Sequence, residues 1–216
     1  MLLNLVKLKE KYDLRIEGVL HIGAHFGQEN SVYNEIGVSK KIFFEPLPHT
    51  FDKLVENING DGHCVNVALG NSVGVIEMFV ESANEGQSSS ILEPIKHKTQ
   101  YPHIVFNDRV EVNMTTLDDY VKGHIGGLDG FLDDKTNYNF INIDVQGYEL
   151  EVFKGGKKTL ESIDYIMTEV NRDEVYKGCP MVEDLDEYLG TYNFKRVETT
   201  WDGGTWGDAF YIKTKI

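Results

Sequence analysis

Residues 18–29 read GVLHIGAHFGQE: a short apolar run, then two glycines four residues apart, then polar sequence. Val19, Leu20 and Ile22 in so short a span predict a strand buried on both faces, and Gly23-Ala24-His25-Phe26-Gly27 predicts the turn into a helix opening near Gln28. Such a turn stands at the carboxyl end of a sheet, where ligands of open α/β folds bind. Gly23 and Gly27 let the backbone pass close to a ligand, although the spacing G-x-x-x-G is not the G-x-G-x-x-G fingerprint of dinucleotide enzymes. His21 and His25 flank a strand-to-helix turn and share no helix face, which argues against a metal-binding pair.

The same rhythm continues outward. GVLHIG, QENSVYNEIG, KKIFFE, HTFDKLVENI and HCVNVAL alternate β-rich with amphipathic segments, a βαβαβ order. The nearly continuous apolar strands predict a parallel sheet covered by helices on both faces and joined by right-handed crossovers. Between 71 and 116 the rhythm changes: VGVIEMFVE and VEVNMTT read as a hairpin-type insertion. The polar stretch SANEGQSSSILEPIKHKTQYPH, residues 82–103, is its long loop, either a surface excursion or a lid on the substrate side. Alternation resumes with TLDDYV, NFINID, GYELEVFKGGKKTLES, DYIMTEV and MVEDLDEYLGTY. NFKRVETT and AFYIKTK, joined through WDGGTWGD, predict an antiparallel pair at a sheet edge. One domain over residues 1–216, opened by an N-terminal helix over 1–16, is the expected organisation.

Composition narrows the function. A chain of 216 residues buries roughly 70% of its unfolded surface, enough for a core without staples. With 35 acidic against 21 basic side chains the formal charge is −14, and no basic stripe gathers, so nucleic acid is not an expected partner. No apolar run approaches the roughly 20 residues of a membrane span. MLLNLVKL is followed at once by charges and by no small-residue cleavage site, so a signal peptide is not expected. Cys64 and Cys179 lie far apart and suggest neither a disulfide framework nor a zinc knuckle. A soluble, cytoplasmic protein with no membrane partner is expected.

Glu45 ends the second predicted strand, with Pro46 stopping the ladder. A carboxylate there can accept hydrogen bonds from both hydroxyls of a ribose; the plainer reading is a solvated strand-end glutamate. The apolar Ile42-Phe43-Phe44 before it and its distance from the glycine turn favour the ribose role. Together the turn and Glu45 describe a site for an adenosine-type nucleotide.

VLHIGAHFGQE, FFEPLP, VNVALGN, SSSIL, TTLDDY, INIDVQGYELEVFKGG and TEV, in this order from residue 18 to the C-terminal region, resemble the FkbM-type S-adenosylmethionine-dependent methyltransferases. INIDVQGYELEVFKGG is the most specific block. The resemblance implies a class I methyltransferase fold, a Rossmann-like α/β architecture with a seven-stranded, mostly parallel sheet whose last strand is antiparallel. It implies S-adenosyl-L-methionine as cofactor and a hydroxyl acceptor on a sugar, glycan or small natural product. Carried over, Gly23, Ala24 and Gly27 line the methionine portion, Glu45 the ribose, and Ala68 with Leu69, at the end of the third strand, the adenine edge. Asn66 either reaches the adenine amino group or is satisfied by backbone. Asp144 faces the sulfonium and the nucleophile, or caps the helix beginning near Gly147, or does both. The chain departs from the family at His21, where an aspartate is usual, and at His25, which replaces a common asparagine. A neutral imidazole still offers one donor and one acceptor, so His21 remains a cofactor-binding candidate.

Methyl transfer from a sulfonium is an in-line displacement in which the cofactor carries the activation, so the protein aligns atoms and removes a proton. Asp144 and Glu169 are the catalytic candidates, with His25, His49 or His103 as further bases. Asp144, Glu169 and Asn171 offer oxygen ligands of the kind Mg²⁺ prefers, a second route to an activated hydroxyl. Phe26, Tyr148, Trp201 and Trp206 are candidates for stacking on a sugar or the sulfonium, or are ordinary packing. The competing readings are a non-catalytic binder of the cofactor or a related nucleoside, motivated by His21, and a nicotinamide enzyme, which the missing third glycine disfavours. The acceptor side is expected in the 82–109 loop and the 199–208 turn.

Overall fold

The computed structural model describes residues 1–125 and 138–214. Helix α1 (Leu5–Tyr12) leads into β1 (Gly18–Ile22), α2 (Asn30–Glu35), β2 (Lys40–Phe44), α3 (Pro48–Ile58) and β3 (His63–Val65). The α1 helix is shorter than the 1–16 expected from sequence, capped by the Asn4 side chain at its start and by left-handed Asp13 at its end. There follow β4 (Ala68–Gly70), β5 (Gly74–Val80), α4 (Lys96–Gln100), β6 (Asp108–Thr116) and α5 (Leu117–Tyr120). Beyond residue 138 come β7 (Phe140–Ile143), α6 (Glu149–Lys154), α7 (Thr159–Ser162), β8 (Tyr165–Asn171), α8 (Val182–Gly190), β9 (Phe194–Trp201) and β10 (Trp206–Lys213).

Seven strands form one sheet in the order β3-β2-β1-β7-β8-β10-β9. The pairs β2/β3, β1/β2, β1/β7 and β7/β8 are parallel. β10 is antiparallel to both β8 and β9, so the closing pair takes the sheet edge as its turn predicts. Strand order reverses between β1 and β7, and the crevice at the carboxyl ends of these two is where a ligand of such a sheet sits.

Alternation of side chains sets the two buried layers. Leu20, Ile22, Ile42, Phe44, Ile141 and Ile143 face α5, α6 and α8 through Leu117, Val152, Phe153, Leu185 and Leu189. Val19, Phe43, Phe140, Met167 and Phe210 face the opposite way, onto Leu5, Leu8, Tyr33, Leu54 and Ile58 of α1, α2 and α3. Both faces are covered, which is why the strands read as continuous apolar runs. A second sheet of three strands, β4-β6-β5, carries the insertion, with β5 and β6 antiparallel.

HCVNVAL, read as one strand, is divided. Its first part, β3, pairs with β2, and its second, β4, leaves for the small sheet and pairs with β6. Asn66 stands at the break, its side-chain amide donating to the carbonyls of Glu45 and Pro46, each at 2.9 Å. These bonds tie the departing chain to the end of β2 and satisfy acceptors that a continued ladder would have used. Ala68 and Leu69 therefore belong to β4 rather than to the third strand of the large sheet.

Gly23 has a φ of +75°, and a Cβ built on it would lie 1.9 Å from the carbonyl oxygen of Asp144. Gly37, with φ +81°, has no atom within 4 Å of the same position. Gly37→Ala therefore carries only the left-handed backbone cost of about 1–2 kcal/mol, a fall of a few degrees in melting temperature for a chain of this length. Gly23→Ala adds a backbone clash and is expected to lower the melting temperature far more, or to prevent folding. Equal shifts in the two variants, by thermal denaturation, would show that β1 and β7 are not held this closely.

Candidate active site

The turn after β1 is held to the end of β2, with the N–H groups of Gly23 and Ala24 donating to the Phe44 carbonyl at 3.0 and 2.9 Å. His25, at φ +48°, donates its N–H to Glu45 Oε2 at 3.0 Å, and Leu47 N–H donates to Oε1 at 2.9 Å. Glu45 is 5% exposed, and burial pushes its carboxyl up to about 7 against the pull of those two N–H groups. Each oxygen keeps a lone pair. A narrow slot opens beside it, walled by Ile22, Leu47, Val67, Leu69, Met78 and Ile91, with Ala68 at its edge. An apolar slot ending on one buried carboxylate suits a nucleoside, its base among the aliphatic side chains and its hydroxyls on Glu45.

A second, wider cavity of about 590 Å³ meets the slot at Gly23, His25, Asp144 and Gln146. His21, Ala24, Glu29, His97, Tyr101, His103, Glu169, Tyr176 and Trp206 also line it. Asp144, one residue beyond β7, borders both cavities. It is not the cap of the next helix: α6 opens only at Glu149, with Tyr148 at its N-cap position and no side-chain cap. The loop's donors go instead to Glu149, fully buried, whose Oε1 accepts from Val145 N–H and Gly147 N–H, each at 3.1 Å. Burial holds the Glu149 pKa up to about 7, with the charge of Asp144 adding to the effect.

Glu169, inside β8 and 4% exposed, faces Asp144. Burial first, then the charges of Asp144 and Glu149, hold its pKa well above the usual carboxylate range. Asp208, fully buried on β10 beside it, accepts from Leu3 N–H at 2.9 Å, and from Leu2 N–H. The Met1 amine lines the wide cavity 3.9 Å from Glu29. Burial opposes its charge, but Asp144, Asp208, Glu29 and Glu169 outweigh burial and raise its pKa.

His21 is 3% exposed on the layer facing α2. The Tyr33 hydroxyl lies 3.2 Å from its Nδ1 and accepts from the Asn142 amide at 2.6 Å. Nε2 points toward Glu29 at 4.0 Å. Burial lowers the His21 pKa, which keeps the ring neutral. His25 has both nitrogens engaged, Nδ1 with the Gln28 amide at 2.9 Å and Nε2 with the Glu85 carbonyl at 2.8 Å, which leaves no free nitrogen for a base.

Several expected residues lie elsewhere. Gly27 lines neither cavity and packs against α3, where an added Cβ would meet Leu54 and Ile58 at 2.8 and 2.9 Å. His49 is exposed at the start of α3 and lines neither cavity. Asn66 is tied to backbone, the second of its two readings. Phe26 stacks on the His25 ring at 3.8 Å, Trp201 lies under the Arg172 guanidinium, and Tyr148 packs in the core. Trp206 does reach the cavity, its Nε1–H donating to the Tyr101 hydroxyl at 3.1 Å. Asn171 is buried with its side-chain oxygen unpartnered. Among the described residues no group of three or more His, Cys, Asp or Glu side chains is arranged to hold a metal ion. Sequence reasoning passed over Gln146, Glu149, His97 and Tyr176; only the left-handed turn implied by Gln146-Gly147 gave a local signal for the first of them.

The methyltransferase FkbM domain model matches residues 21–196. The chain belongs to that family. It is 27% identical to 2-O-methyltransferase NoeI of Sinorhizobium fredii over 222 aligned positions, covering 99% of this chain and 85% of the relative. Solved structures are similar at the level of the fold. A Streptococcus pneumoniae protein described as a tRNA (m1A22) methyltransferase, in complex with S-adenosyl-L-methionine, covers the whole chain and matches at TM-score 0.51 and 12% identity over 76% of its own length. Magnesium protoporphyrin IX methyltransferase from Synechocystis, with the same cofactor bound, matches at TM-score 0.52 and 8% identity over 97% of this chain and 76% of its own. The protein is thus an S-adenosylmethionine-dependent methyltransferase of class I fold. No helix among the described residues is long and apolar enough to cross a membrane.

A carboxyl raised to about 7 is half protonated near neutral pH before a ligand binds. Ribose hydroxyls are donors and favour the ionised form, so affinity for S-adenosylhomocysteine is expected to rise from pH 6 to pH 8 and then level off. The sign for folding is opposite: because the native pKa lies above the unfolded value, Glu45 favours the native state below about 4.5, and this contribution is lost as pH rises through about 7. Glu45→Gln should flatten its share of the affinity profile, read by calorimetry across that range. An unchanged slope would remove Glu45 from the ribose contact.

Proposed function

We propose that the protein transfers the methyl group of S-adenosyl-L-methionine to a hydroxyl of a sugar, glycan or other small molecule. The observation that carries this reading is the meeting of two unlike cavities at Asp144. The slot ending on Glu45 fits a nucleoside; the wider cavity, rich in His, Tyr, Trp and carboxyl groups, fits a hydroxylated acceptor. The 2-O specificity of the Sinorhizobium relative supports oxygen as the nucleophile. A net charge of −14 weighs against a nucleic-acid acceptor.

In this reading Gly23, Ala24 and His21 border the amino-acid end of the cofactor, Glu45 the ribose, and Ala68 with Leu69 the adenine. S-adenosyl-L-methionine supplies, when bound, a methyl group already activated on a cationic sulfur. The chain's own tasks are alignment, exclusion of water and removal of one proton. Asp144, at the junction, is the base that receives the hydroxyl proton. Burial and the neighbouring charges favour the protonated form of Glu169, which in this reading orients Asp144 rather than receiving the proton. Gly86, Ser89 and Ile91 of the insertion line the slot and Asn84 and Ser88 the wide cavity, and in this reading they reduce access of water to the junction.

The test is incubation with methyl-labelled cofactor and a panel of methyl glycosides, with the position of the label read by mass spectrometry and NMR. Transfer to oxygen is expected. With an accepted sugar, Asp144→Asn keeps the shape but loses the basic oxygen, and turnover should fall about 10²- to 10⁴-fold while affinity for S-adenosylhomocysteine holds. Full activity in that variant, or label found only on nitrogen, would overturn the assignment.

A further inference from the structure

Gln146 sits at the junction of the two cavities and bonds to Asp144, Glu169, Tyr176 and Ser90. Its Nε2 donates to Asp144 Oδ1 at 2.7 Å and to Glu169 Oε2 at 2.8 Å, one hydrogen to each carboxyl group. Its Oε1 lies 2.8 Å from the Tyr176 hydroxyl, which also reaches the Ser88 carbonyl at 2.9 Å and has one proton to share between them. Its backbone carbonyl accepts from the fully buried Ser90 hydroxyl at 2.7 Å, and that same Ser90 oxygen accepts from Leu92 N–H at 2.9 Å. Ser90 is in turn paired through its backbone to Phe79 of β5.

Gln146 has φ +54°, a left-handed conformation uncommon for a residue with a side chain. Something must hold it there, and the described contacts supply it: Ser90 on the carbonyl, Tyr176 and two carboxyls on the amide. The amide serves the buried Glu169 and the half-buried Asp144 together, and without it both would lose this donor and draw in water. The SSSIL stretch, with no evident chemistry of its own, thereby gains a physical role as the anchor of this side chain.

We propose that Gln146 is a positioning residue whose amide holds Asp144 and Glu169 as one unit facing the cationic sulfur of the cofactor, and that Ser88 and Ser90 fix Gln146 in place. The proposal rests on the methyltransferase reading. It makes the insertion part of the site's electrostatics rather than only a cover.

The cofactor and its product differ by one positive charge, so their affinity ratio reads the field at that sulfur without any acceptor. The other ionisable groups, the Met1 amine and Glu29 on the cavity and the buried Asp208 and Glu149 behind it, stay the same in the variants, so the change in ratio reports the clamp. Gln146→Asn suits the left-handed backbone but is one methylene too short to span both carboxyls. Its preference for S-adenosyl-L-methionine over S-adenosylhomocysteine, measured by calorimetry, should fall about tenfold, the usual consequence of losing a hydrogen bond to a charged group, with S-adenosylhomocysteine affinity within about twofold of wild type. Ser90→Ala should lower the ratio by a smaller factor in the same direction. Equal weakening of both ligands, or an unchanged ratio in well-folded Gln146→Asn, overturns the clamp and leaves the methyltransferase reading standing. Failure of both ligands to bind the wild type overturns that reading and the clamp together.

Discussion

The backbone contact between the turn after β1 and the carbonyl of Asp144 after β7 is the constraint from which the rest of the carboxyl end is built. It is close enough that only glycine fits at position 23. Because the two strands are neighbours at the point where sheet order reverses, this contact fixes where one cavity ends and the other begins. Asp144 N–H donates to the Ile22 carbonyl at 3.0 Å, so the residue that borders both cavities is located by the main chain. Its side chain can then face the junction without also having to hold the turn.

Carboxyl groups dominate that end of the sheet, and burying them costs free energy unless donors surround them. Glu45 and Glu149 take backbone N–H groups from the turns they close. Asp208 takes N–H groups from the N-terminal segment. Glu169 has no backbone donor among the described contacts and is satisfied through the Gln146 amide and its neighbour Asp144. The first three are therefore fixed by the loops they close, with Glu45 keeping a lone pair on each oxygen for a ligand. Asp144 and Glu169, which depend on a side chain for their donor, are the pair free to respond to a charge placed beside them.

The fold was legible because it rests on local alternation. Apolar strands, amphipathic helices and a glycine turn give β1, β2, β7 and the closing pair without knowledge of tertiary contacts. The break of HCVNVAL was not legible, since it depends on Asn66 reaching carbonyls twenty residues earlier. Residues at strand ends, such as Glu45 and Asp144, could be placed from sequence because strand ends define the crevice. Gly27 and His49 could not, because which side of a turn or helix faces the ligand is decided by packing against α3. His25 was a reasonable base until the structure showed both its nitrogens engaged, one of them by a carbonyl sixty residues away.

The insertion joins these two kinds of information. Glu85 holds His25, Ser88 and Ser90 hold Tyr176 and Gln146, and Ile95 N–H bonds to the Val175 carbonyl beyond β8. Farther along, Gln100 accepts from Thr205 and Tyr101 donates to Asp202, so the 96–101 segment and the 202–206 turn form a continuous wall. A segment bonded to the β1 turn, to the Asp144 loop and to the wall of the wide cavity cannot move at one of these places without disturbing the others. Its long polar sequence, which by itself suits a loose surface loop, is held by a bond at nearly every step. The specificity of the wide cavity and the electrostatics of the junction thus share one piece of chain. A change in the insertion that reshapes the wall of the wide cavity should also be felt at Asp144 and Glu169, unless the contacts of Ser90 and Gln146 are kept.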